Sequence, residues 1–394
     1  MMVSEAHKRI AVLGSGISGL SLAWYLSKQF PQTEITVYEK LDRPGGLIAT
    51  ECSGRFFFEK GPRTFLAGRC PELLGLIEEM GLSDQLIFSK PQKRFIYYKH
   101  KLRPLQSMVL RAVLNGALKD LKAPGFAGDE AIRAFAERRF GKWTADYLVD
   151  PVTTGIHAGS IDALSINSCF ASLKACETKY GSVIRGMRKR PKKDPRLFTL
   201  KGGMQTLIEA LASRVQIRYG KEPKDTDLVF STAPEKAHVP YKGLSVVHLG
   251  FEADVLDKRG FGYLVPSVYG LDVLGTVFDS CVFPQQNRTK QETRLSVMLR
   301  PCADPLEIAL KAVRDHLGIQ KLPCEALVSE YNAAIPQMTV GHTQRMEMLK
   351  KNSPKVILAG NYLVGPAVNT CIKQAQVLSA QAALQADQCA PAYA

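Results

Sequence analysis

The run Gly14-Ser15-Gly16-Ile17-Ser18-Gly19 joins two stretches of different character, and no other feature constrains the fold as much. Upstream, Arg9 to Gly14 (RIAVLG) is a short apolar run of the kind that forms a strand buried on both faces. Downstream, Ser18 to Phe30 carries apolar residues on more than one face, as a crossover helix between a sheet and a neighbour does. Glu34 to Lys40 (EITVYEK) reads as the next strand. Strand, glycine turn, helix and strand within about thirty residues make one right-handed βαβ unit, which predicts a Rossmann-type α/β domain. The missing side chains permit a tight turn at Gly14, close pyrophosphate approach at Gly16 and close helix packing at Gly19. Ser18 lies in the first helical turn, whose free amides would face the phosphates. About twenty residues on, Glu39 ends the second strand where a carboxylate accepts ribose hydroxyls, with Lys40 beside it.

The residues after this unit point to FAD in preference to NAD. Arg43 to Gly46 (RPGG) continues the acidic strand into a glycine turn typical of FAD enzymes of the amine-oxidase superfamily, and Gly45 and Gly46 would let backbone approach the cofactor's phosphates. In Phe58 to Phe65 (FEKGPRTF), Gly61 and Arg63 are further cofactor candidates, although Glu59 and Arg63 also fit a surface ion pair. Leu200 to Gln205 (LKGGMQ) holds another glycine pair, read equally well as a turn before a helix at Thr206. Near the other end, Lys355 to Ala359 reads as a strand, Gly360 to Pro366 as a turn, and Val368 to about Asp387 as a helix. In a flavoenzyme that helix start would face the pyrimidine edge of the isoalloxazine, where negative charge builds on reduction; otherwise it is an ordinary turn.

A chain of 394 residues exceeds what one core organises, so two or three packed domains are expected. The pattern predicts a discontinuous FAD-binding domain (1–75, 190–235 and 340–394), a β-rich substrate domain (76–98 and 236–339) and a mostly helical domain (99–189). The helical part includes an amphipathic segment, Leu105 to Lys122, and a charged helix over Asp129 to Tyr147. The net charge of +15 favours an anionic partner. Nucleic acid is not expected, because the basic run Arg185 to Arg196 lacks interleaved aromatics and reads as a solvated loop. Nine cysteines without a C-x-x-C pair suggest neither a metal site nor a disulfide framework, and fit a reducing compartment. No apolar run reaches the roughly 18 residues of a spanning helix, and MMVSEAHKRI is too short and polar for a targeting peptide. A cytoplasmic protein is expected, with peripheral contact at the inner face of a membrane left open through Leu105 to Leu121.

Taken together, GSGISGL, the GPR at Gly61 to Arg63, KRFIYY from Lys93, DPVTTGIHAG from Asp150, LKGGMQTL, GFGYLVPS from Gly260, LGTVFDS from Leu274, VML from Val297 and VNTCI resemble the oxygen-dependent protoporphyrinogen oxidases over most of the chain. The resemblance implies an FAD domain assembled from separated stretches, a β-rich substrate domain and a helical, membrane-associating domain. It places a tetrapyrrole between Phe261 and Leu264, with Met298 lining the pocket, Arg94 pairing with a propionate, and Gly155 close to the reacting carbon. It implies oxidation of protoporphyrinogen by molecular oxygen in three two-electron cycles with release of hydrogen peroxide, with no acid–base residue and no metal. Coproporphyrinogen III is the rival substrate; another flavin amine oxidase and a non-catalytic FAD- or tetrapyrrole-binding protein are further alternatives. The sequence leaves the oligomeric state open, a homodimer included. Departures from the family pattern are the short Arg218 to Leu228 segment, Leu47, Asn361 and His157.

Overall fold

The computed structural model describes residues 9–233, 239–353 and 356–389, with side chains to 382. The expected absence of a targeting peptide in the first residues and the expected strand start at Lys355 lie outside the described residues.

A five-stranded, wholly parallel sheet has the spatial order Gln216–Tyr219, Glu34–Glu39, Arg9–Leu13, Leu228–Ser231, Val356–Leu358. Its strands come from three distant stretches, yet the register is continuous: Ile10 lies between Ile35 and Leu228. Helix Ile17–Gln29 packs against the last helix, Val368–Cys389, and buries Leu20, Leu22 and Leu26 in a core shared with Ile372 and Ala375. Fully buried Ile10, Val12 and Val37 are among the strand residues of that core, which is why RIAVLG reads as continuously apolar.

A second sheet of seven strands is mixed, in the order Glu325–Pro336, Tyr241–Phe251, Thr293–Leu299, Val273–Val277, Gly262–Leu264, Arg94–Tyr98, Lys101–Pro104. Helix Pro305–Leu317 covers one face, burying Ala309, Ala312 and Val313 with Val247, Leu249 and Val297. Arg94–Tyr98 joins this sheet parallel to Gly262–Leu264, so Arg94 stands opposite Gly262. Two small sheets lie between: Thr50–Cys52 with Phe57–Glu59, and Leu197–Leu200 flanked by Phe65–Leu66 and Leu86–Ser89.

The helical part differs from expectation in the charged stretch and at the start of the basic run, where a loop is expected. The charged stretch is not one helix: Ile132–Phe140 stops at Gly141, whose φ of 87° only glycine adopts readily, and the chain resumes through a π-helical turn, Ala145–Val149, into Asp150–His157. Leu105–Lys122 is a single helix whose buried residues, Met108, Ala112, Gly116 and Asp120, repeat every four positions. Asp120 and Glu177 there enclose Arg139, which is fully buried and donates from Nη2 to Glu177 Oε1 at 2.5 Å. The basic run is helical to Arg188, capped by Ser182 Oγ accepting from the Arg185 amide, and irregular beyond.

Candidate cofactor and substrate site

At the glycine turn, the Gly14 amide donates to Tyr38 O at 2.8 Å with φ at 95°, and a Cβ on Gly19 would collide with Gly14 O. A Cβ on Gly16 would meet nothing within 4 Å, so space is open in front of the helix start. The RPGG turn folds onto the same place: the Gly45 amide donates to Ser15 O at 2.8 Å, Gly16 and Gly45 form a bridge, and Gly45 and Gly46 have φ of 107° and 59°.

Glu39 is buried beneath this opening. Its Oε2 accepts from the Ser15 amide at 2.7 Å and Ser15 Oγ at 2.6 Å, and Oε1 accepts from the Leu41 amide at 2.9 Å. Desolvation pushes its pKa up, but the bonds from Leu41 and Ser15 outweigh it and hold the carboxyl below its usual value. These bonds fix the carboxylate beneath the opening, where it can accept from a ribose hydroxyl. The open cradle at Gly16 and this ionised acid fit a dinucleotide. Ser18 sits in the first helical turn with a hydrogen bond to the Cys371 thiol, whereas Lys40 is exposed at the strand's end.

Glu59 and Arg63 are not a surface pair: both are buried, and Arg63 Nη1 reaches Glu59 through its backbone oxygen, at 2.7 Å. Glu59 Oε1 accepts from Thr50 Oγ1 and the Met204 amide, which ties the Gly202-Gly203 turn to this strand. Its Oε2 has no partner among the described residues, and burial pushes its pKa up to about 7. A Cβ on Gly61 would collide with Leu47 O, so this turn requires glycine. Gly360, with φ at 111°, donates its amide to Gln374 Oε1 at 2.7 Å, and the buried Val368 starts the last helix. Asn361, in place of an acid, accepts from Tyr241 Oη at 3.1 Å.

The residues expected around a tetrapyrrole fall into two groups. Leu264 Cδ2 would lie 2.5 Å from a Cβ on Gly155, and Leu264 pairs with Gly275, which in turn pairs with Met298. Arg94 and Phe261 form the other group, the guanidinium lying 5.1 Å from the ring centroid. Side chains three apart on a regular strand point to opposite faces, but Gly262, at φ 140°, breaks the pleat between Phe261 and Leu264. His157 is buried and stacks edge-on against Phe170 at 5.7 Å; burial pulls its pKa down to about 4.

Sequence reasoning missed His248, Asp279 and Ser296, which surround Arg63. The LGTVFDS motif contains Asp279 and VML begins one residue after Ser296, but nothing in either motif ties them to Arg63. A cavity of about 190 Å³ borders the Gly360 turn, lined by Met338, His342, Met346, Leu363 and Val364, and touches none of the residues expected around a tetrapyrrole.

A parallel nucleotide sheet with an open glycine cradle over a buried acid, joined to a second mixed sheet, defines an FAD-dependent oxidoreductase. Residues 17–228 match the family model of the flavin containing amine oxidoreductases, and the chain belongs to that family; its cofactor is FAD. Among curated relatives, protoporphyrinogen oxidase of Bos taurus is 28% identical, the match covering 95% of this chain and 98% of the relative. Coproporphyrinogen III oxidase of Bacillus subtilis (strain 168) is 24% identical, with 94% and 97% covered. Among solved structures, cyclohexylamine oxidase from Brevibacterium oxydans IH-35A superposes with a TM-score of 0.72 at 13% identity, covering 98% of this chain and 100% of the other. A protein from Exiguobacterium sp. 255-15 superposes with a TM-score of 0.83 at 22% identity, covering 96% and 99%.

Proposed function

We propose that the protein oxidises protoporphyrinogen IX to protoporphyrin IX with molecular oxygen as acceptor. The observation that carries this reading is the contact of Gly155 with Leu264, an apolar wall on which a flat ring can lie, on the same sheet as the cation Arg94 over Phe261. Bound FAD supplies hydride acceptance and delivery of the electrons to oxygen. Glu39 and the Gly14 and Gly16 turn would anchor the nucleotide, with Arg63 a further cofactor residue. Leu264 and Met298 keep water from the ring, Gly155 gives Leu264 the room to pack and so shapes this wall, and Arg94 takes a propionate. No acid or base is required of the protein.

The second reading is coproporphyrinogen III, a substrate with more propionates. It is favoured by Arg69, which stands close enough to Arg94 for their charges to repel and so adds a cation at the same rim. Anaerobic mixing of the FAD-loaded protein with each porphyrinogen, followed by air, separates the readings. Bleaching of flavin absorbance by one substrate, then porphyrin fluorescence and recovery of oxidised flavin, identifies it; no bleaching by either defeats both.

The three domain stretches expected from the sequence are proposed as the working division of the molecule. Among the described residues no helix is long and apolar enough to cross a membrane. We propose peripheral attachment in the cytoplasm through Leu105–Lys122, where Leu110, Leu114 and Leu118 form an exposed stripe, the last two more than 70% exposed, with Arg111, Lys119 and Lys122 near it.

A further inference from the structure

Arg63 is held by partners from three places: the backbone oxygen of Glu59, Ser296 of the second sheet with His248 behind it, and Asp279 at the start of the short helix Asp279–Val282. Its Nη1 donates to Ser296 Oγ at 2.8 Å as well as to Glu59 O at 2.7 Å, and its Nε lies 3.5 Å from Asp279 Oδ1. Ser296 Oγ donates to Asp279 Oδ2 at 2.7 Å and stands 2.8 Å from His248 Nδ1.

Valence settles where the protons are. A serine hydroxyl has one hydrogen and two lone pairs. The Ser296 hydrogen is given to Asp279, and one lone pair takes the Arg63 hydrogen, so the other can only accept from His248. His248 therefore carries its hydrogen on Nδ1, and its Nε2 is a bare acceptor, in keeping with the absence of any partner for that atom among the described residues. The ring is stacked on Phe58 at 5.4 Å and fully buried. Burial, then the charges of Arg63 and Lys60, hold its pKa well below the ordinary imidazole value, which favours the neutral ring that this hydrogen-bond pattern requires.

Both hydrogens of Arg63 Nη1 are thus committed, while Nη2 has no partner among the described residues and, unlike His248 Nε2, is not sealed by surrounding atoms. An arginine that is 9% exposed and anchored along one edge presents a fixed positive charge from the other.

We propose that Asp279, Ser296 and His248 are positioning residues that lock the Arg63 guanidinium with its Nη2 edge toward the flavin, and that this fixed cation raises the flavin's reduction potential. The inference rests on the FAD-oxidase reading and deepens it. The physical reason is that a cation stabilises the extra negative charge of the reduced ring, and a desolvated, pre-oriented one does so without reorganising. A merely structural network would hold the two sheets together and leave the potential alone.

The test measures the reduction potential of bound FAD, by anaerobic reduction against a reference dye, in the wild type and in Ser296→Ala, Arg63→Met and Ser296→Thr. A tenfold change in the reduction equilibrium corresponds to about 30 mV for a two-electron couple. Ser296→Ala is expected to shift the equilibrium at least tenfold toward oxidised flavin, in the same direction as Arg63→Met, with Ser296→Thr restoring it because the hydroxyl returns. Near-ultraviolet circular dichroism and FAD stoichiometry show whether each variant is folded and loaded. Folded, loaded Ser296→Ala and Arg63→Met proteins with unchanged potential overturn the proposal, whatever their turnover. Unchanged potential together with normal porphyrinogen oxidation leaves the oxidase reading standing and removes only this inference. Failure of the wild type to oxidise any porphyrinogen, with potentials that still shift, removes the oxidase reading and keeps the assignment of Arg63 to the flavin.

Discussion

Gly155 and Leu264 lie so close that a Cβ on the glycine would stand 2.5 Å from Leu264 Cδ2, although more than a hundred residues of chain separate them. Helix Asp150–His157 and strand Gly262–Leu264 are thereby fixed against each other at the proposed substrate wall.

Gly155→Ala is the first prediction. The added methyl must displace Leu264, at an overpacking cost of about 1–3 kcal/mol. With porphyrinogen, kcat/KM is expected to fall by roughly tenfold or more, because about 1.4 kcal/mol of lost transition-state stabilisation is one decade. FAD content should not change. Wild-type kinetics for this variant would remove Gly155 from the site.

Glu39→Gln tests the nucleotide anchor. The neutral amide loses charge-assisted acceptance from Ser15 and Leu41 and of the ribose, interactions each contributing about 1.5–3 kcal/mol. FAD affinity, followed by flavin fluorescence on dilution, is expected to weaken at least tenfold. An unaltered dissociation constant would mean that the adenosine end is held elsewhere.

Glu59 imposes a pH dependence on stability. Its folded pKa of about 7 lies above the unfolded value of 4.5, so the folded state binds the extra proton between these limits. Stability contributed by this group is complete below the unfolded value, declines as pH rises, and is lost above about 7. At one pKa unit per 1.36 kcal/mol the full span is on the order of 3 kcal/mol. Glu59→Gln, which cannot ionise, is expected to flatten the wild-type fall in denaturation midpoint between pH 5 and 8, for which pH-resolved denaturant melts are sufficient. An identical slope in the variant would show that Glu59 stays ionised.

The leucine stripe makes the last prediction. Replacing Leu110, Leu114 and Leu118 with glutamate puts charge on an already exposed face, so folding should change little, while flotation with anionic liposomes should drop from substantial to background. Wild-type protein that stays wholly in the soluble fraction refutes peripheral attachment by this face.

The local unit at the start of the chain was legible from residues alone. Gly14, Gly16, Gly19 and Glu39 are spaced so that one strand, one turn, one helix and a second strand fulfil each other's geometric requirements, and the structure has them at Arg9–Leu13, Ile17–Gln29 and Glu34–Glu39. The amphipathic helix was legible to its bounds, because the four-residue repeat of Met108, Ala112 and Gly116 is itself a helical signal. The break at Gly141 was not, since a glycine within a charged, weakly amphipathic segment reveals neither its φ nor what it packs against.

The sequence by itself determined that the chain winds a parallel nucleotide sheet with a glycine turn above an acid, because those requirements are met within a few dozen residues. Only the tertiary structure decided that Arg63 is a buried cation. Its anchors lie more than two hundred residues away, Ser296 on a strand of another sheet and Asp279 on the short helix Asp279–Val282, and the same glutamate and arginine on a solvated turn would be an ordinary surface pair. Burial is a property of everything packed around a group, so the pKa of Glu59, the tautomer of His248 and the orientation of Arg63 come into being only when the two sheets close on one another.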